Sequence, residues 1–198
     1  YNKKHKNYLS KLRLKNALKI TGGRTRQEST FKALHKIKTM NCEKVLIHDS
    51  ARPNTSKKII RNIIQNLKKN HAVIPVIKIN DATKRVKKKM IFKNIERDSL
   101  RFSQTPQGFT FKKIYEKHKK NTNIYFDDDS ALFVKDKEKI ITITGSKRNL
   151  KITDNEDINI FRSLKKGKTY FGIGFDIHRL IRKRKLYLGG IKIPFALG

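Results

Sequence analysis

A short apolar run followed by a helical repeat is the clearest hydrophobic pattern in this sequence. The run Val45–Ile47 ends in His48 and Asp49, which is typical of a buried strand with polar residues at its carboxyl end. Isoleucine and leucine then recur at helical spacing over residues 59–67, behind Ser56 as an N-cap. The pattern predicts a strand followed by a helix.

A second β-rich run covers residues 72–79, and Pro75 within it favours an edge strand or an irregular one. Strand, helix and strand with short connections predict a βαβ unit and a mainly parallel sheet. Residues 80–104 are dense in charge and lack a helical period, so they are expected to form an extended arm or a hairpin outside the core.

Weaker patterns extend this α/β prediction. In chain order they are a faint strand at 17–20, a helix over 29–38, a helix over 111–120, a strand over 139–143, and a helix from the capping box Thr153-Asp154-Asn155-Glu156 to about Leu164. Residues 165–168 (Lys-Lys-Gly-Lys) read as a linker, and Gly-broken strands follow at 170–177 and 185–189. We therefore expect a domain over 1–164, a linker over 165–168 and the start of a second domain over 169–198.

The charge of the chain is extreme: 49 Lys plus Arg against 16 Asp plus Glu give a formal net charge of +33. Such a charge makes nucleic acid or an anionic membrane the first partner to consider. The lysines are spread over almost every segment, however, and Asn and Ile are also abundant, as in a coding bias toward adenine and thymine. A dedicated nucleic-acid-binding protein, which would gather its basic residues on one face, remains an alternative.

Cysteine usage and hydropathy favour the cytoplasm. Cys42 is the only cysteine, so an internal disulfide is excluded. No apolar run approaches the ~18 residues of a membrane span. The start lacks an initiator Met and a signal-peptide core, and an apolar pattern continues up to Gly198, so both ends are expected to be cuts.

The first candidate site is the string His48-Asp49-Ser50-Ala51-Arg52-Pro53, directly after the predicted strand. Ligands in open α/β sheets bind beyond the carboxyl ends of strands. There Asp49 can hold a metal-bound phosphate, and Arg52 can bind phosphate or ribose. The alternative is a plain turn in which Asp49 caps locally and Pro53 stops the strand.

Other candidates are individually weaker. Gly22 and Gly23 form a turn that lets a ligand approach the backbone, and Ser29 either bonds a base or, more simply, caps the next helix. Basic and hydroxyl residues around the arm suit a sugar phosphate or else form a solvated edge; they are Lys84, Arg97 and Thr105. The run Asp127-Asp128-Asp129 either positions a hydroxyl or metal or caps a helix that begins near Ser130, and Lys151 directly precedes a helix.

The order and spacing of these motifs are more specific than any one of them. The succession is Gly-Gly-x-x-Arg-Gln-x-Ser, His-Asp-x-Ala-Arg-Pro, Asp-x-x-Lys-Arg, Gln-Thr-Pro-Gln-x-Phe, Asp-Asp and Asn-x-Lys-Ile-Thr. Over about residues 15–160 it closely resembles the methylerythritol phosphate cytidylyltransferases. The resemblance implies an α/β fold of the nucleotidyltransferase type (Rossmann-like), with a mostly parallel sheet and a dimerising β arm.

The resemblance also implies a reaction and its residues. The family joins CTP to methylerythritol phosphate with Mg²⁺ and releases pyrophosphate. By position, Arg97 and Lys151 would act in catalysis by holding methylerythritol phosphate for attack on the α-phosphorus. The binding residues would be Gly22, Gly23, Ser29, Asp49, Ser50, Arg52, Lys84, Thr105 and Asp127.

Three departures from the family pattern stand out. Ala82 and Phe126 occupy positions where the family usually has Thr, which affects contacts to the substrate diol. The family's Gly-rich loop, which grips the triphosphate, has no counterpart in the sequence, so residues 1–198 alone are expected to lack transferase activity. A nucleotidyltransferase with another sugar-phosphate or alditol-phosphate acceptor is the second alternative.

The last segment carries a separate motif. Asp176 and His178 are two apart on a predicted strand, so their side chains leave the same face and can share a metal. Together with Leu188-Gly189-Gly190-Ile191, the string resembles the start of methylerythritol cyclodiphosphate synthase. That resemblance implies an α+β domain, Zn²⁺ or another divalent metal, a trimer, and a bifunctional fusion of the two enzymes.

Overall fold

A computed structural model describes residues 1–12, 15–122, 125–164, 179–188 and 190–197. The chain divides into two compact units, Tyr1–Leu164 and Lys165–Gly198. No helix among the described residues combines the length and the apolar character that crossing a bilayer requires.

The first unit is a mixed α/β structure of six α-helices and seven strands among its described residues. Its α-helices are α1 (Lys6–Lys11), α2 (Arg26–Ile37), α3 (Lys57–Asn66), α4 (Phe111–Lys120), α5 (Ala131–Lys135) and α6 (Asn155–Leu164). Its strands are β1 (Lys44–Ile47), β2 (Ala72–Lys78), β3 (Thr83–Lys87), β4 (Met90–Ile95), β5 (Arg101–Ser103), β6 (Gln107–Thr110) and β7 (Ile141–Thr144).

The central sheet contains β1, β6, β2, β5 and β7. Strand β6 lies between β1 and β2 and is antiparallel to both, β5 is antiparallel to β2, and β7 is parallel to β2. Strands β1, β2 and β7 therefore run in one direction, as the predicted βαβ order requires. The expectation of a mostly parallel sheet is nevertheless wrong for the described pairs, because the β5–β6 stretch inserts beside β2 and makes three pairings antiparallel to one parallel.

Pro75 lies in the middle of this sheet rather than at its edge. The Pro75 carbonyl accepts a hydrogen bond from the Gln104 amide on one side of β2, and the Val76 carbonyl accepts one from Gly145 on the other. Opposite Pro75 the chain is interrupted between β5 and β6, at residues 104–106. Proline has no backbone N–H to donate, so it is tolerated opposite such an interruption. The predicted irregularity therefore lies in the β5–β6 stretch, and not in β2 itself.

Hydrophobic side chains cover both faces of the sheet. On one face Ile59, Ile63 and Leu67 of the α3 region pack against Val73. The other face holds the larger cluster, and its buried members are Leu34, Ala72, Ile74, Phe109, Phe111, Ile114, Leu132 and Phe133. Val73 and its neighbours in β2 face opposite sides, as the two-residue period of a strand demands.

Two helix starts differ from their predicted positions. Helix α2 begins at Arg26, and its N-cap is Thr25, whose side chain accepts a hydrogen bond from the Glu28 amide. The interpretation of Ser29 as the cap is therefore wrong, since Ser29 lies in the first turn.

Helix α6 begins one residue later than its predicted cap implies. Asp154 accepts a hydrogen bond from the Asp157 amide, and the Asp157 carboxylate accepts bonds from the backbone and hydroxyl of Thr153. The N-cap is thus Asp154 instead of Thr153, and Asp157 instead of Glu156 makes the return bond, to Thr153. Closer to the start of the chain, the faint strand predicted at 17–20 is absent, and α1, which was not predicted, precedes it.

Strands β3 and β4 form a two-stranded hairpin apart from the central sheet, as expected. The expectation for residues 80–104 is wrong at its end, because β5 pairs with β2 inside the central sheet. Lys88 and Lys89 at its tip have positive φ values of 46° and 67°, which matches the left-handed backbone of a tight hairpin turn. Large apolar side chains on this arm are exposed, and they are Val86, Met90, Ile91 and Phe92.

In the second unit, β8 (Leu186–Leu188) pairs with β9 (Ile191–Ile193) as an antiparallel hairpin. Gly190 in its turn has φ +82°, a conformation that glycine adopts without strain. The predicted strand over 185–189 is observed as β8. The linker 165–168, the strand over 170–177, Asp176 and His178 lie outside the described residues.

Candidate functional site

The carboxylate of Asp49 lies just beyond the carboxyl end of β1, and cations from three parts of the chain surround it. Arg26 Nε is 3.6 Å from Oδ1, while Lys151 Nζ and Arg52 Nε are 3.6 Å and 3.9 Å from Oδ2. These separations are those of ion pairs rather than direct hydrogen bonds. The cations therefore keep donors that a ligand can use.

Thr105 fixes the backbone beneath this cluster. Its buried hydroxyl accepts a hydrogen bond from the Asp49 amide at 3.0 Å and contacts His48 Nδ1 at 3.1 Å. Thr105 comes from the interruption between β5 and β6. The irregular stretch opposite Pro75 thus supports the loop that carries Asp49.

Asn149 joins the same loop to the segment that carries Lys151. Its fully buried amide donates to the Thr105 carbonyl at 2.8 Å and accepts from the Thr55 hydroxyl at 2.9 Å, and its carbonyl accepts from Arg52 at 2.7 Å. The Ile152 amide donates to the Ala51 carbonyl at 2.8 Å. These bonds place Lys151 beside Asp49 although about one hundred residues separate them in the sequence.

Arg52 has one donor without a hydrogen-bond partner among the described residues. Its Nε is buried, and the Asp49 carboxylate at 3.9 Å is an ion-pair partner only. Burial lowers the pKa of Arg52, and the charge of Asp49 only partly opposes this. A buried guanidinium donor left unpaired at a strand end is a favourable place for an anionic ligand.

Arg26 is a site residue that sequence reasoning did not select. It begins α2, and its guanidinium reaches both Asp49 and Asp129. Burial alone would lower its pKa, but the charge and hydrogen bond of Asp129, with smaller contributions from Asp49 and Asp128, raise it. The sequence does contain one indication of its importance, since Arg26 is the arginine of the Gly-Gly-x-x-Arg motif.

The Gly22–Gly23 turn packs against the first turn of α2. The Gly23 amide donates to the Ser29 hydroxyl at 2.9 Å, and a Cβ on Gly23 would come within 2.3 Å of the Glu28 side chain. An open cleft of about 570 Å³ lies over this turn. A second cleft of about 720 Å³ is lined by Asp49, Ser50, Arg26 and Ser29 among others, so Arg26 and Ser29 border both.

The arm residues are not linked to the Asp49 cluster by any hydrogen bond or ion pair in the described part of the chain. Arg97 donates to the Asn80 carbonyl at the base of the arm, and Lys84 donates to Asn94 across the hairpin. The structure therefore brings together Asp49, Arg52, Thr105 and Lys151 but leaves Lys84 and Arg97 on a separate element.

The three consecutive aspartates have different environments. Asp127 is exposed. Asp128 caps α5 by accepting bonds from Ser130 and the Ala131 amide, and it also accepts from Ser103 and Gln107. Asp129 is buried between Arg26 and His118. The helix-capping interpretation thus applies to Asp128.

No group of three or more His, Cys, Asp or Glu side chains within the described residues is arranged to hold a metal. Asp49 is a single partly exposed carboxylate. Mg²⁺ in nucleotide sites is commonly held by one or two carboxylates together with substrate phosphates, so Asp49 fits that ion in the presence of a nucleotide.

A model of the family described as 2-C-methyl-D-erythritol 4-phosphate cytidylyltransferase (IspD) matches residues 1–164. The chain belongs to the IspD family. The motif-based resemblance is thereby confirmed, and the α/β nucleotidyltransferase-type fold expected from it is confirmed as well.

Relatives extend the likeness beyond the IspD unit. A protein of Pelagibacter ubique named "Bifunctional enzyme IspD/IspF" is 47% identical over all of this chain and 51% of its own length. One of Wolbachia sp. subsp. Brugia malayi with the same name is 36% identical over 88% of this chain and 43% of its own. The chain spans about half the length of the curated relatives it matches.

Solved structures agree with this IspD assignment. The 4-diphosphocytidyl-2C-methyl-D-erythritol synthase of Anaerococcus prevotii matches with TM-score 0.73 and 30% identity, over 82% of this chain and 77% of that one. The bifunctional IspDF of Campylobacter jejuni matches with TM-score 0.69 and 31% identity, over 98% of this chain and 50% of that one.

Proposed function

We propose that this IspD chain belongs to an enzyme that transfers a cytidylyl group from CTP to 2-C-methyl-D-erythritol 4-phosphate and releases pyrophosphate. The observation that carries the proposal is the meeting of Asp49, Arg52 and Lys151 at the end of β1 in a domain of the IspD family. Names of the structural relatives support the same substrates.

In the proposed reaction a phosphate oxygen of methylerythritol phosphate attacks the α-phosphorus of CTP. A new P–O–P linkage forms. The bond from the α-phosphorus to the oxygen that bridges to the β-phosphorus breaks, and pyrophosphate leaves with its electron pair. The protein need supply little covalent chemistry, because positioning and charge neutralisation dominate phosphoryl-type transfer. Lys151, half exposed beside Asp49, would hold the attacking phosphate, and Arg52 would bind phosphate or ribose.

Mg²⁺ fits the Asp49 carboxylate. When bound, it would neutralise charge on the triphosphate. Asp49 would hold the metal-bound phosphate, while the Thr105 hydroxyl keeps the Asp49 backbone in place. Because Arg26, Arg52 and Lys151 do not bond the Asp49 carboxylate closely, the donors that face it would be available to phosphate oxygens.

For the cytosine we propose the two clefts beside α2. Gly22, Gly23, Ser29 and Ser50 line them. Glycine at position 23 is required by the packing of the turn against the Glu28 side chain. The Ser29 hydroxyl donates to the Thr25 carbonyl and accepts from the Gly23 amide, so it would bond the base as an acceptor.

The arm is proposed to supply acceptor-binding residues and the dimer contact. Lys84 and Arg97 of the arm, together with Asp127 from the segment before α5, would bind the methylerythritol phosphate. The exposed Val86, Met90, Ile91 and Phe92 support burial of the arm against a second copy. The homo-oligomer would thus be a dimer at the arm.

The second unit is proposed to begin the cyclase of a bifunctional enzyme, which forms 2-C-methyl-D-erythritol 2,4-cyclodiphosphate and releases CMP. The names of the bifunctional relatives support this. Asp176 and His178 would bind Zn²⁺ or another divalent ion with a third protein ligand, and the complete cyclase would trimerise.

The lone Cys42 supports a cytoplasmic location.

The proposal is tested by pyrophosphate release from the complete protein with each of the four nucleoside triphosphates and several sugar or alditol phosphates. We expect release with CTP and methylerythritol phosphate and much lower efficiency with every other pair. Greater efficiency with another acceptor would support the rival transferase, and absence of release with all pairs would refute nucleotidyl transfer.

A further inference from the structure

A buried carboxylate–imidazole pair lies behind the cation cluster. The Asp129 side chain is fully buried, and its Oδ1 is 2.9 Å from Nε2 of the buried His118 on α4. The His118 ring stacks on Phe31 of α2, with ring centroids 6.4 Å apart and planes 9° apart. A buried charge needs fixed partners, and His118 supplies one of them from a packed position.

The second oxygen of Asp129 binds Arg26. Arg26 Nη2 donates to Oδ2 at 2.6 Å, the length of a strong charge-assisted hydrogen bond. The Nε edge of the same guanidinium faces Asp49 at 3.6 Å. Burial alone would raise the pKa of Asp129, but the His118 hydrogen bond and the Arg26 charge lower it, so Asp129 stays ionised opposite Arg26.

We propose that Asp129, held by His118, is a positioning residue that fixes Arg26 for nucleotide binding. One edge of a rigid guanidinium is anchored in the interior, which leaves the other edge directed at the Asp49 carboxylate and the adjoining clefts. Without Asp129, Arg26 would be free to approach Asp49 and occupy the carboxylate that the metal-bound triphosphate uses. This inference rests on the proposed function.

A positioning role for Asp129 differs from a purely structural one because the kinetic effect of removing its charge should depend on Arg26. In the complete protein, Asp129→Asn should lower kcat/KM for CTP by about tenfold or more. The change should appear mainly in KM for CTP, with KM for methylerythritol phosphate nearly unchanged. In an Arg26→Ala background, Asp129→Asn should cause little further loss, because Asp129 acts through Arg26.

Asp136→Asn is the matched control. Asp136 pairs with Lys117 away from the cluster, so its removal should leave both KM values unchanged. Equal loss from Asp129→Asn with and without Arg26 would overturn the proposal, and so would a loss equal for both substrates.

Arg26→Lys provides the test if Asp129→Asn does not fold. Lysine keeps the charge but cannot bind two carboxylates through separate edges, so KM for CTP should rise while the melting temperature stays near that of the unmodified protein. Normal KM for CTP in Arg26→Lys would overturn the proposal. Inactivity of the unmodified protein would instead refute the proposed function, which keeps the two failures distinct.

Discussion

Side chains from distant parts of the sequence share the space around Asp49. Arg26 precedes it on α2, Arg52 follows it in the same loop, and Lys151 arrives from beyond β7. Lys151 is half exposed, whereas Arg52 is mostly buried. The exposed cation is therefore the one best able to follow an incoming phosphate.

Lys151→Ala and Arg97→Ala are predicted to impair use of methylerythritol phosphate in the complete protein. Loss of a charge-assisted contact should cost about 1.5–3 kcal/mol, roughly 10- to 150-fold in kcat/KM. Steady-state kinetics at saturating CTP measure this. Lys147→Ala, an exposed lysine in the same segment, is the control. Normal efficiency for methylerythritol phosphate in either variant would remove that residue from the acceptor site.

The structure brings together Asp49, Arg52 and Lys151, which the sequence selects because each occurs in a spaced motif. The sequence missed Arg26, since nothing local shows that a residue at a helix start reaches Asp129 about one hundred positions away. It also misjudged Ser29, because Thr25 and Ser29 are equally good caps by type and only the path of the Gly22–Gly23 turn decides between them.

Among the elements, α3 and the central sheet approach one another closely at a glycine. A Cβ on Gly108 of β6 would lie 2.1 Å from Ile63 Cγ2. The sequence predicted α3 and β2 because their apolar periods are strong. It did not predict that β6 would insert between β1 and β2, since the order of strands depends on long-range packing rather than on local pattern.

Gly108→Ala is predicted to destabilise the first unit by about 1–3 kcal/mol through overpacking against Ile63. Denaturant unfolding measures the loss. Ile63→Leu removes the γ2 methyl group, so Gly108→Ala should cost less in that background. An equal cost in both backgrounds would mean that this contact does not set the spacing between α3 and β6.

The Asp129–His118 pair joins α4 to the segment that precedes α5, and the stability it contributes should depend on pH. The pKa of Asp129 is lowered in the folded protein. Its ionised carboxylate therefore contributes its full stabilisation above the unfolded-state pKa of about 3.9, and this stabilisation is lost as pH falls through the lower folded-state pKa. Unfolding free energy should therefore decline on acidification, and Asp129→Asn should reduce the slope. Asp127→Asn, at an exposed site, should not. An unchanged slope in Asp129→Asn would contradict this view of the pair.

At the scale of the whole molecule, the arm carries its apolar residues away from the central sheet. Val86, Met90, Ile91 and Phe92 are each more than half exposed, and several exposed apolar side chains on one small hairpin favour association. Arg97 at the base of the same arm has no link to the Asp49 cluster in the described residues. Assembly and acceptor binding are thus expected to depend on one element.

Phe92→Lys is predicted to weaken dimerisation of the complete protein by at least about tenfold, since it places a charge in the proposed apolar contact. Sedimentation velocity over a range of concentrations gives the dissociation constant. Tyr8→Lys alters an equally exposed aromatic on α1 and should leave the constant unchanged. Equal weakening by both variants, or by neither, would argue against the arm as the interface.

Phosphorus NMR of the reaction mixture tests the central claim most directly. The complete protein with CTP, methylerythritol phosphate and Mg²⁺ should convert the acceptor's phosphate signal into that of a diphosphate diester while pyrophosphate appears, and Asp49→Asn should greatly slow both changes. An unaltered acceptor signal with the unmodified protein, or undiminished conversion by the Asp49 variant, would contradict cytidylyl transfer at this site.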